Sequence, residues 1–175
     1  MLIILDRDGV INQESKNFIK SPEEWIAIPG SLSAIAALNR AGHQVVVASN
    51  QSGISRGYFT LATLLTIHQK MQDELAKVGA NVQAIYICPH RNEDFCFCRK
   101  PNPGMLLQIA RDFSVNLSKQ SWVIGDSLRD IEAGLKIQAK TVIVKTGNGQ
   151  KTIQEAPSNI PAFTDLAAWV ENFIS

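Results

Sequence analysis

All three cysteines of the chain and one of its histidines lie in a single short segment with the spacing C-x-H-x5-C-x-C. They are Cys88, His90, Cys96 and Cys98. Three thiolates and one imidazole complete a tetrahedral Zn²⁺ site and leave no position for water or substrate. Soft ligands at this spacing favour zinc, whereas a disulfide between Cys96 and Cys98 would be cramped and would leave Cys88 unpaired. The pattern predicts a structural zinc site in a loop that carries Arg99 and Lys100.

Polar residues also follow the predicted strands at their carboxyl ends, which is where open α/β sheets form binding sites. They are Asp6 and Asp8 after the first strand, Ser49, Asn50, Gln51 and Ser52 after the second, Arg99 and Lys100 beyond the third, and Asp126 and Asp130 after the fourth. We expect them to meet in one crevice. Clustered carboxylates repel each other unless a hard cation lies among them, so the sequence predicts bound Mg²⁺.

These residue types suit phosphoryl transfer. A carboxylate beside bound Mg²⁺ is a competent nucleophile toward phosphorus, and Asp6 is the candidate. Asp8 could protonate the leaving alkoxide and later deprotonate the attacking water. Ser49 offers a hydroxyl and Lys100 a positive charge for the phosphoryl oxygens. Because Lys100 precedes Pro101, its backbone is biased toward an extended conformation, which suits a side chain reaching into a cleft.

Four motifs, taken in order, resemble those of the haloacid dehalogenase (HAD) superfamily over essentially the whole chain. They are Asp6-x-Asp8-Gly9-Val10, Ser49 after an apolar strand, Lys100, and Gly125-Asp126-x3-Asp130. The resemblance implies an aspartyl-phosphate on Asp6 and general acid/base catalysis by Asp8. It also implies Mg²⁺ bound by Asp6, the main-chain carbonyl of Asp8, and Asp126, with Asp130 supporting the metal shell or Lys100. A proton donor beside the nucleophile implies a phosphatase rather than a dehalogenase.

The zinc loop resembles that of two groups of HAD phosphatases without a cap domain, one acting on heptose bisphosphates and one on histidinol phosphate. The segments N-Q-S-G-I-S-R-G at 50–57 and K-P-N-P-G-M at 100–105 are similar to the heptose group. This resemblance implies removal of the 7-phosphate from D-glycero-D-manno-heptose 1,7-bisphosphate, a lipopolysaccharide precursor. Ser127 stands where certain heptose enzymes have a lysine that touches substrate, so the preferred anomer stays open.

Three other functions remain as alternatives. A histidinol-phosphate phosphatase would use the same scaffold. A phosphatase of DNA ends is disfavoured by the net charge of +1, which gives no basic surface for nucleic acid. A non-catalytic phosphosugar-binding protein would not need the proton donor Asp8 beside the nucleophile Asp6.

Substrate binding is expected from the residues that follow the second and third strands. The candidates are Asn50, Gln51, Ser52, Arg56, Arg99 and Lys100. Arg56 either grips the distal phosphate of a bisphosphate, as a bidentate cation would, or is a solvated surface side chain. Arg99 either contacts the substrate or steadies the zinc loop. Arg7 and Arg129 are left unassigned, because the sequence does not specify which face they occupy.

Two further segments favour ordinary structural roles over ligand binding. His68 falls on the apolar stripe of a predicted helix, which indicates a packed histidine rather than a metal ligand. The sequence Gly147-Asn148-Gly149 follows a late strand without the G-x-G-x-x-G pattern, so we interpret it as a turn.

Alternating apolar runs and helical periods predict the elements that position these residues. Strands are expected at 2–5, 44–48, 82–87, 122–125 and 141–144. Helices are expected from Ser31 to Gly42, from a Thr60 cap to about Gly79, from an Asn102 cap, at 128–137, and at 164–174. The pattern predicts one α/β domain over residues 1–175, with a Rossmann-like, three-layer, mostly parallel sheet and no room for a lid domain.

Composition limits the setting of this domain. Of the 175 residues, 45% are hydrophobic and 19% charged, which is ordinary for a globular protein, and no apolar run is long enough to span a membrane. Met1–Leu5 lacks a basic flank, so we expect no signal peptide. Thiols placed for metal binding favour a reducing compartment. We therefore expect a cytoplasmic monomer whose partner is a small phosphorylated sugar, with neither nucleic acid nor membrane involved.

Overall fold

The fold is built on one twisted sheet flanked by helices, in a computed structural model that describes all residues from Met1 to Ser175. The strands are β1 (Leu2–Leu5), β2 (Gln44–Asn50), β3 (Ala84–Cys88), β4 (Ser121–Gly125), β5 (Lys140–Val144) and β6 (Ala162–Phe163). The helices are α1 (Ser31–Arg40), α2 (Leu61–Lys77), α3 (Gly104–Asp112), α4 (Leu117–Gln120), α5 (Leu128–Lys136), α6 (Gly149–Glu155) and α7 (Leu166–Ile174).

All six strands are parallel, in the order β3-β2-β1-β4-β5-β6. The chain proceeds outward from β1 to β3 on one side and from β4 to β6 on the other. Leu5 at the end of β1 is therefore in register with Val47 of β2 and with Ile124 of β4. The gap between the ends of β1 and β4 is the topological switch point, where sheets of this kind bind ligands.

The core lies on both faces of the sheet, because side chains along a strand point alternately to opposite faces. Ile3 and Leu5 of β1 pack with apolar residues of α1, α2 and α7 on one face. Leu2 and Ile4 pack with residues of α3, α4 and α5 on the other. All four residues are essentially inaccessible to solvent. The predicted three-layer α/β domain is confirmed.

Some element boundaries differ from those expected. Strand β3 ends at Cys88, so the zinc loop starts directly at the carboxyl edge of the sheet. Asn102 does not cap α3; its side chain donates to the carbonyl oxygen of Cys96 at 2.9 Å, and the helix begins at Gly104 after Pro103. The short elements α4, α6 and β6 were not expected. None of the helices combines the length and apolarity that a bilayer-spanning segment needs.

Candidate active site

Three carboxylates converge at the switch point between β1 and β4. Asp6 follows β1, Asp126 follows β4, and Asp130 lies in the first turn of α5. One carboxylate oxygen from each lies within 4.8 Å of the others. Asp126 and Asp130 are almost fully buried, and Asp6 is nearly so. The main chain approaches closely at Gly9, whose φ is +79° and where any Cβ would collide with the Asp126 carboxylate.

The crowding of these carboxylates changes their acidity. Burial raises the pKa of Asp6 to about 7, with further increases from the charges of Asp130 and Asp8 and a partial offset from Lys100. Burial also raises the pKa of Asp126 to about 8, helped by the charges of Asp130 and Asp6. Asp6 and Asp126 are therefore harder to ionise than ordinary carboxyl groups. This fits a cation-binding site, because a divalent ion would stabilise both as carboxylates.

Lys100 is the only cationic side chain that contacts this group of three carboxylates. Its ammonium lies 3.2 Å from Asp6 Oδ1 and 2.6 Å from Asp130 Oδ1, and it donates to the carbonyl oxygen of Ala48 at 2.5 Å. The side chain is buried. Burial alone would lower the pKa of Lys100, but the charges of Asp130 and Asp6 together outweigh it, so the net shift is upward. The lysine is held as a fixed positive charge beside Asp6.

Asp130 is engaged on both of its oxygens. Oδ1 faces Lys100, and Oδ2 accepts hydrogen bonds from the main-chain N–H and the hydroxyl of Ser127 at 3.1 and 2.8 Å. These bonds form a capping box at the start of α5, in which the cap residue and the third helical residue satisfy each other. Asp130 is thereby fixed between the helix terminus and Lys100.

The turn after β5 holds Asp126 in place through hydrogen bonds. This role of the turn was not predicted from the sequence. The main-chain N–H of Asn148 donates to Asp126 Oδ2 at 2.7 Å, and its side-chain amide donates to the same oxygen at 3.1 Å. The hydroxyl of Thr152 donates to the Asp126 carbonyl at 2.7 Å. The segment is a turn, as interpreted, yet its amides orient a carboxylate of the site. The one indication of this role in the sequence was that the segment follows a predicted strand, because site residues of α/β sheets lie at strand ends.

Asp8 is held by donors on several sides, and Arg7 is the most important of them. The Arg7 guanidinium is inaccessible to solvent and donates to both Asp8 oxygens at 2.8–3.0 Å. The side chains of Asn12 and Gln51 donate at 2.8 and 3.0 Å. Arg7 also donates to Nε2 of His68 at 3.2 Å. His68 is thus packed, as predicted, and burial followed by the charge of Arg7 lowers its pKa to about 4.

The residues after β2 divide between the cavity and its supports. Ser49 and Gln51 are buried, and the Gln51 amide donates to the Ser49 hydroxyl at 2.8 Å. The Asn50 side chain binds the main chain of Lys100 twice, accepting from its N–H at 3.1 Å and donating to its carbonyl at 3.0 Å. Asn50 therefore joins β2 to the zinc loop. Ser52 lines the cavity beside them.

The predicted zinc ligands converge into one cluster. The sulfur atoms of Cys88, Cys96 and Cys98 lie 3.1–3.5 Å apart, and His90 Nδ1 lies 3.3 Å from the Cys98 sulfur and 3.5 Å from that of Cys88. The corners of a zinc tetrahedron with Zn–S bonds of about 2.3 Å are separated by about 3.8 Å. The cysteines are unbridged, so the donor set and its spacing fit Zn²⁺.

Arg99 spans the zinc loop. Its Nε donates to Asn92 Oδ1 at 2.7 Å, and its Nη1 donates to the carbonyl oxygen of His90 at 3.0 Å. It also lines the cavity, as do Arg56 and Arg129. Burial lowers the pKa of Arg99, and the positive charges of Arg129 and Arg56 lower it further. Arg99 therefore steadies the zinc loop and also faces the cavity, which Arg129 lines as well.

One cavity of about 340 Å³ collects most of the predicted site. Among its lining residues are Asp6, Asp8, Ser49, Asn50, Gln51, Ser52, Arg56, Arg99, Lys100 and Asp130. Asp126 is not among the lining residues, but its carboxylate lies close to those of Asp6 and Asp130. The arrangement combines the Asp6 carboxylate, a second carboxylate two residues on, a fixed ammonium and further cations. This set suits transfer of a phosphoryl group from a small anionic ester.

A parallel sheet with carboxylates at its switch point and a lysine delivered beside them defines the HAD class of hydrolases. The HAD-hydrolase-like family model matches residues 97–168. Those residues include the end of the zinc loop with Lys100, the strand β4, and the aspartates that follow it.

Relatives match over almost the whole chain. The D-glycero-β-D-manno-heptose-1,7-bisphosphate 7-phosphatase of Bordetella bronchiseptica is 51% identical, covering 99% of this chain and 97% of the relative. The enzyme of the same name from Pseudomonas putida is 48% identical over 99% of each chain. The chain belongs to this family of HAD phosphatases. The prediction of a HAD-superfamily phosphatase is confirmed.

Solved structures agree. The crystal structure of the B. bronchiseptica D,D-heptose 1,7-bisphosphate phosphatase, complexed with magnesium and phosphate, superimposes with a TM-score of 0.95 and covers 99% of this chain and 97% of that one. The corresponding enzyme of Burkholderia thailandensis is 41% identical, with a TM-score of 0.78, covering 99% of this chain and 98% of its own. Magnesium is thus found in a close structural relative.

Proposed function

We propose that this chain removes the 7-phosphate from D-glycero-D-manno-heptose 1,7-bisphosphate, in the synthesis of lipopolysaccharide precursors. The observation that carries the proposal is the convergence of Asp6, Asp8 and Lys100 in one cavity, in a chain about half identical to relatives named for this reaction. The β anomer in the relatives' names is the form we propose as substrate.

The reaction proceeds in two displacements at phosphorus. Asp6 attacks the 7-phosphorus, the bond from phosphorus to the sugar oxygen breaks, and Asp8 delivers a proton to the departing alkoxide. Water then attacks the aspartyl-phosphate, Asp8 takes its proton, and the bond from phosphorus to Asp6 breaks to release inorganic phosphate. Asp8 accepts hydrogen bonds from Arg7, Asn12 and Gln51. These bonds orient the Asp8 carboxyl group for proton transfer.

Asp6, Asp126 and the main-chain carbonyl of Asp8 would hold Mg²⁺. The fit rests on the raised pKa values of Asp6 and Asp126 and on the Asp8 carbonyl, which accepts no hydrogen bond within the chain. Bound Mg²⁺ would neutralise phosphoryl charge and orient the phosphorus toward the nucleophile. Asp130 supports the site through Lys100, because both of its oxygens are already occupied.

Ser49 and Lys100 would hold the phosphoryl oxygens, and Zn²⁺ would keep Lys100 in position. Cys88, His90, Cys96 and Cys98 would supply all four ligands of such an ion, and a zinc with four protein ligands is structural rather than catalytic. The zinc loop ends at Lys100, which Asn50 fastens to β2. A structural metal therefore orders the segment that carries a catalytic cation.

The phosphate that is not cleaved would be recognised by Arg56, Arg99 and Arg129. These cations lie close enough for Arg129 and Arg56 to lower the pKa of Arg99. An anion among them would relieve this repulsion, and charge-assisted hydrogen bonds contribute about 1.5–3 kcal/mol each. Asn50, Gln51 and Ser52 complete the substrate-binding set that the sequence predicts.

We also propose that residues 1–175 act as one phosphatase domain, as a cytoplasmic monomer whose ligand is a small phosphosugar. Support for a reducing compartment comes from the three free thiols gathered as metal ligands. Support for a single domain comes from the one sheet, whose core is shared by helices from both ends of the chain.

The test is phosphate release from a panel of substrates by purified enzyme with Mg²⁺. We expect the heptose bisphosphate to exceed the heptose monophosphate in kcat/KM by roughly ten- to a hundredfold, as one retained charge-assisted contact would give. Arg129→Ala should remove much of this difference, whereas Arg111→Ala, at an exposed position of α3, should not. A higher kcat/KM for histidinol phosphate or for a 3′-phosphorylated oligonucleotide would overturn the assignment.

A further inference from the structure

The cavity has an aromatic edge that the proposed chemistry does not use. Its only apolar lining residues are Phe18, Ile19 and Tyr58; all the others are polar or charged. Phe18 and Ile19 come from the segment between β1 and α1, whereas Tyr58 comes from the loop between β2 and α2. Two separate loops therefore meet at this edge of the cavity.

The two aromatic rings contact each other. Their centroids are 5.1 Å apart and their planes are inclined by 58°, a favourable tilted geometry. Tyr58 nevertheless remains 54% exposed, although an aromatic side chain of this size usually gains from burial. The pair leaves aromatic surface open along the cavity rather than withdrawing it into the core.

Phe18 is held in an unfavourable backbone conformation. Its φ is +63°, in the left-handed region that bulky residues rarely adopt. The main-chain N–H of Phe18 donates to Ser15 at 3.2 Å, and the Phe18 carbonyl accepts from Lys20 at 3.4 Å. A glycine or asparagine would adopt this conformation with less strain, and strained positions of this kind cluster at binding and active sites.

We propose that Phe18 and Tyr58 form an aromatic wall that packs against the C–H face of the substrate's sugar ring and selects ring-containing phosphosugars over short phosphate esters. The proposal rests on the phosphatase function proposed above. The phosphates of such a substrate need the cations and carboxylates of the cavity, but the carbon skeleton between them presents C–H groups. Aromatic faces are the natural partners for those groups, and the wall supplies them where the other lining residues are polar.

The experiment compares two substrates, the heptose 1,7-bisphosphate and acetyl phosphate, which has no ring. We expect Phe18→Ala and Tyr58→Ala each to lower kcat/KM for the heptose bisphosphate about tenfold, mainly through a higher KM. Each should change acetyl phosphate hydrolysis less than twofold. Tyr58→Phe should retain most of the wild-type selectivity, because the ring is kept. Leu65→Ala, which removes an exposed apolar side chain from α2 outside the cavity, is the matched control.

A second variant distinguishes contact between Phe18 and the substrate from a purely structural role of Phe18 in its loop. Phe18→Gly relieves the positive φ that Phe18→Ala retains, so it should melt at a higher temperature than Phe18→Ala while lowering kcat/KM for the heptose bisphosphate by the same factor of about ten. Gln138→Gly provides the control, because Gln138 also has a positive φ, of 57°, but is exposed at the end of α5. It should affect the melting temperature alone.

The outcomes are distinguishable. Equal losses on both substrates in Phe18→Ala and Tyr58→Ala would mean that the pair only supports the loops, and they would overturn the wall. Unchanged kcat/KM for the heptose bisphosphate in both variants would also overturn it. If the wild-type chain hydrolysed acetyl phosphate but not the heptose bisphosphate, the proposed substrate would fail and the wall with it.

Discussion

Asp6 and Asp126 sit in surroundings that disfavour two neighbouring negative charges. Burial raises the pKa of Asp6 to about 7 and that of Asp126 to about 8. Without a cation, the folded state binds these protons more tightly than the unfolded chain does. Stability from this source is therefore lost as pH rises toward 8. A metal that requires both carboxylates to be ionised must displace the protons.

We therefore expect Mg²⁺ affinity to increase as pH rises from 6 to 8 and to level off above that range. Calorimetric titrations in buffers of different ionisation enthalpy measure both the affinity and the protons released. Release should be substantial at pH 6 and small at pH 8.5. In Asp126→Asn the dependence on pH should weaken. Binding of equal strength at pH 6 and 8, without proton release, would contradict this account of the site.

Arg7 is the residue whose role could least be foreseen from the sequence. It lies between two site aspartates at a strand end, where the side chain could have pointed to solvent or inward. The structure buries it against Asp8 and His68. The planar guanidinium of arginine can donate two hydrogen bonds side by side to a carboxylate, whereas the compact ammonium of lysine does not match this geometry. Arg7 thereby fixes the orientation of Asp8.

We predict that Arg7→Lys lowers kcat by about a hundredfold with little change in KM, because Asp8 would be misaligned for proton transfer, which typically contributes about 10²–10⁴-fold. Arg7→Met should lose at least as much and should also destabilise the fold, since a buried ion pair loses one partner. Steady-state kinetics and urea unfolding measure the two effects. Arg111→Lys is the surface control. A kcat for Arg7→Lys within threefold of wild type would refute the positioning role.

Among the helices and strands, those with the most buried residues were the easiest to predict from the sequence. Strands β1, β2, β4 and β5 are short apolar runs buried on both faces of a parallel sheet, and such runs are evident in a sequence. The convergence of the three cysteines with His90 could be predicted because metal ligation constrains residue type and spacing together. These features carry most of the proposed site.

The elements that were missed lack such local signals. Helix α6 has few buried residues, and β6 has only two residues in all. The roles of Asn148 and Thr152 arise from the packing of this region against Asp126. Likewise, the meeting of Phe18 with Tyr58 depends on how two loops fold over the sheet edge. Contacts of this kind are set by tertiary structure and leave no periodic pattern.

The zinc loop gives a direct prediction at this scale. Cys98→Ser should lose zinc, lower the melting temperature and reduce kcat, because the loop that delivers Lys100 would lose its order. Mg²⁺ affinity should change little, since Asp126 and Asp6 lie on other segments. Elemental analysis, thermal unfolding and calorimetry measure these effects. Freshly purified protein that contains no zinc yet is fully active would contradict the structural role.

Over the whole molecule, the sheet order brings loops from both halves of the chain to one edge. The β1 and β2 loops supply the proposed nucleophile Asp6 and the proposed aromatic wall, whereas the β4 and β5 loops supply Asp126 and its supports. These loops border the cavity, so we expect substrate selectivity to depend on them.

His68 links pH to the stability of the whole fold. Its pKa is lowered to about 4, first by burial and then by Arg7, from an ordinary value of 6.5. Between these values the unfolded chain binds the proton and the folded chain does not, so stability falls as pH decreases from about 6.5 toward 4. By pH 5 this residue should account for a loss of about 2 kcal/mol.

The measurement is urea unfolding of the wild type and His68→Gln at pH 7.5 and 5. Glutamine can still accept the hydrogen bond from Arg7 but does not titrate. The loss of unfolding free energy between the two pH values should be smaller in His68→Gln, by about 2 kcal/mol. Other acid-sensitive groups, including the zinc ligands, are common to both proteins and cancel in the comparison. Equal losses in the two proteins would exclude His68 as the source.

The central claim is that Asp6 attacks phosphorus and forms a covalent intermediate. The stereochemical course at phosphorus tests it without requiring the intermediate to accumulate. The heptose bisphosphate would carry an isotopically labelled, chiral thiophosphate at position 7 and be hydrolysed in labelled water. Two successive in-line displacements, first by Asp6 and then by water, predict net retention of configuration. Net inversion would show a single direct attack by water and would contradict the account.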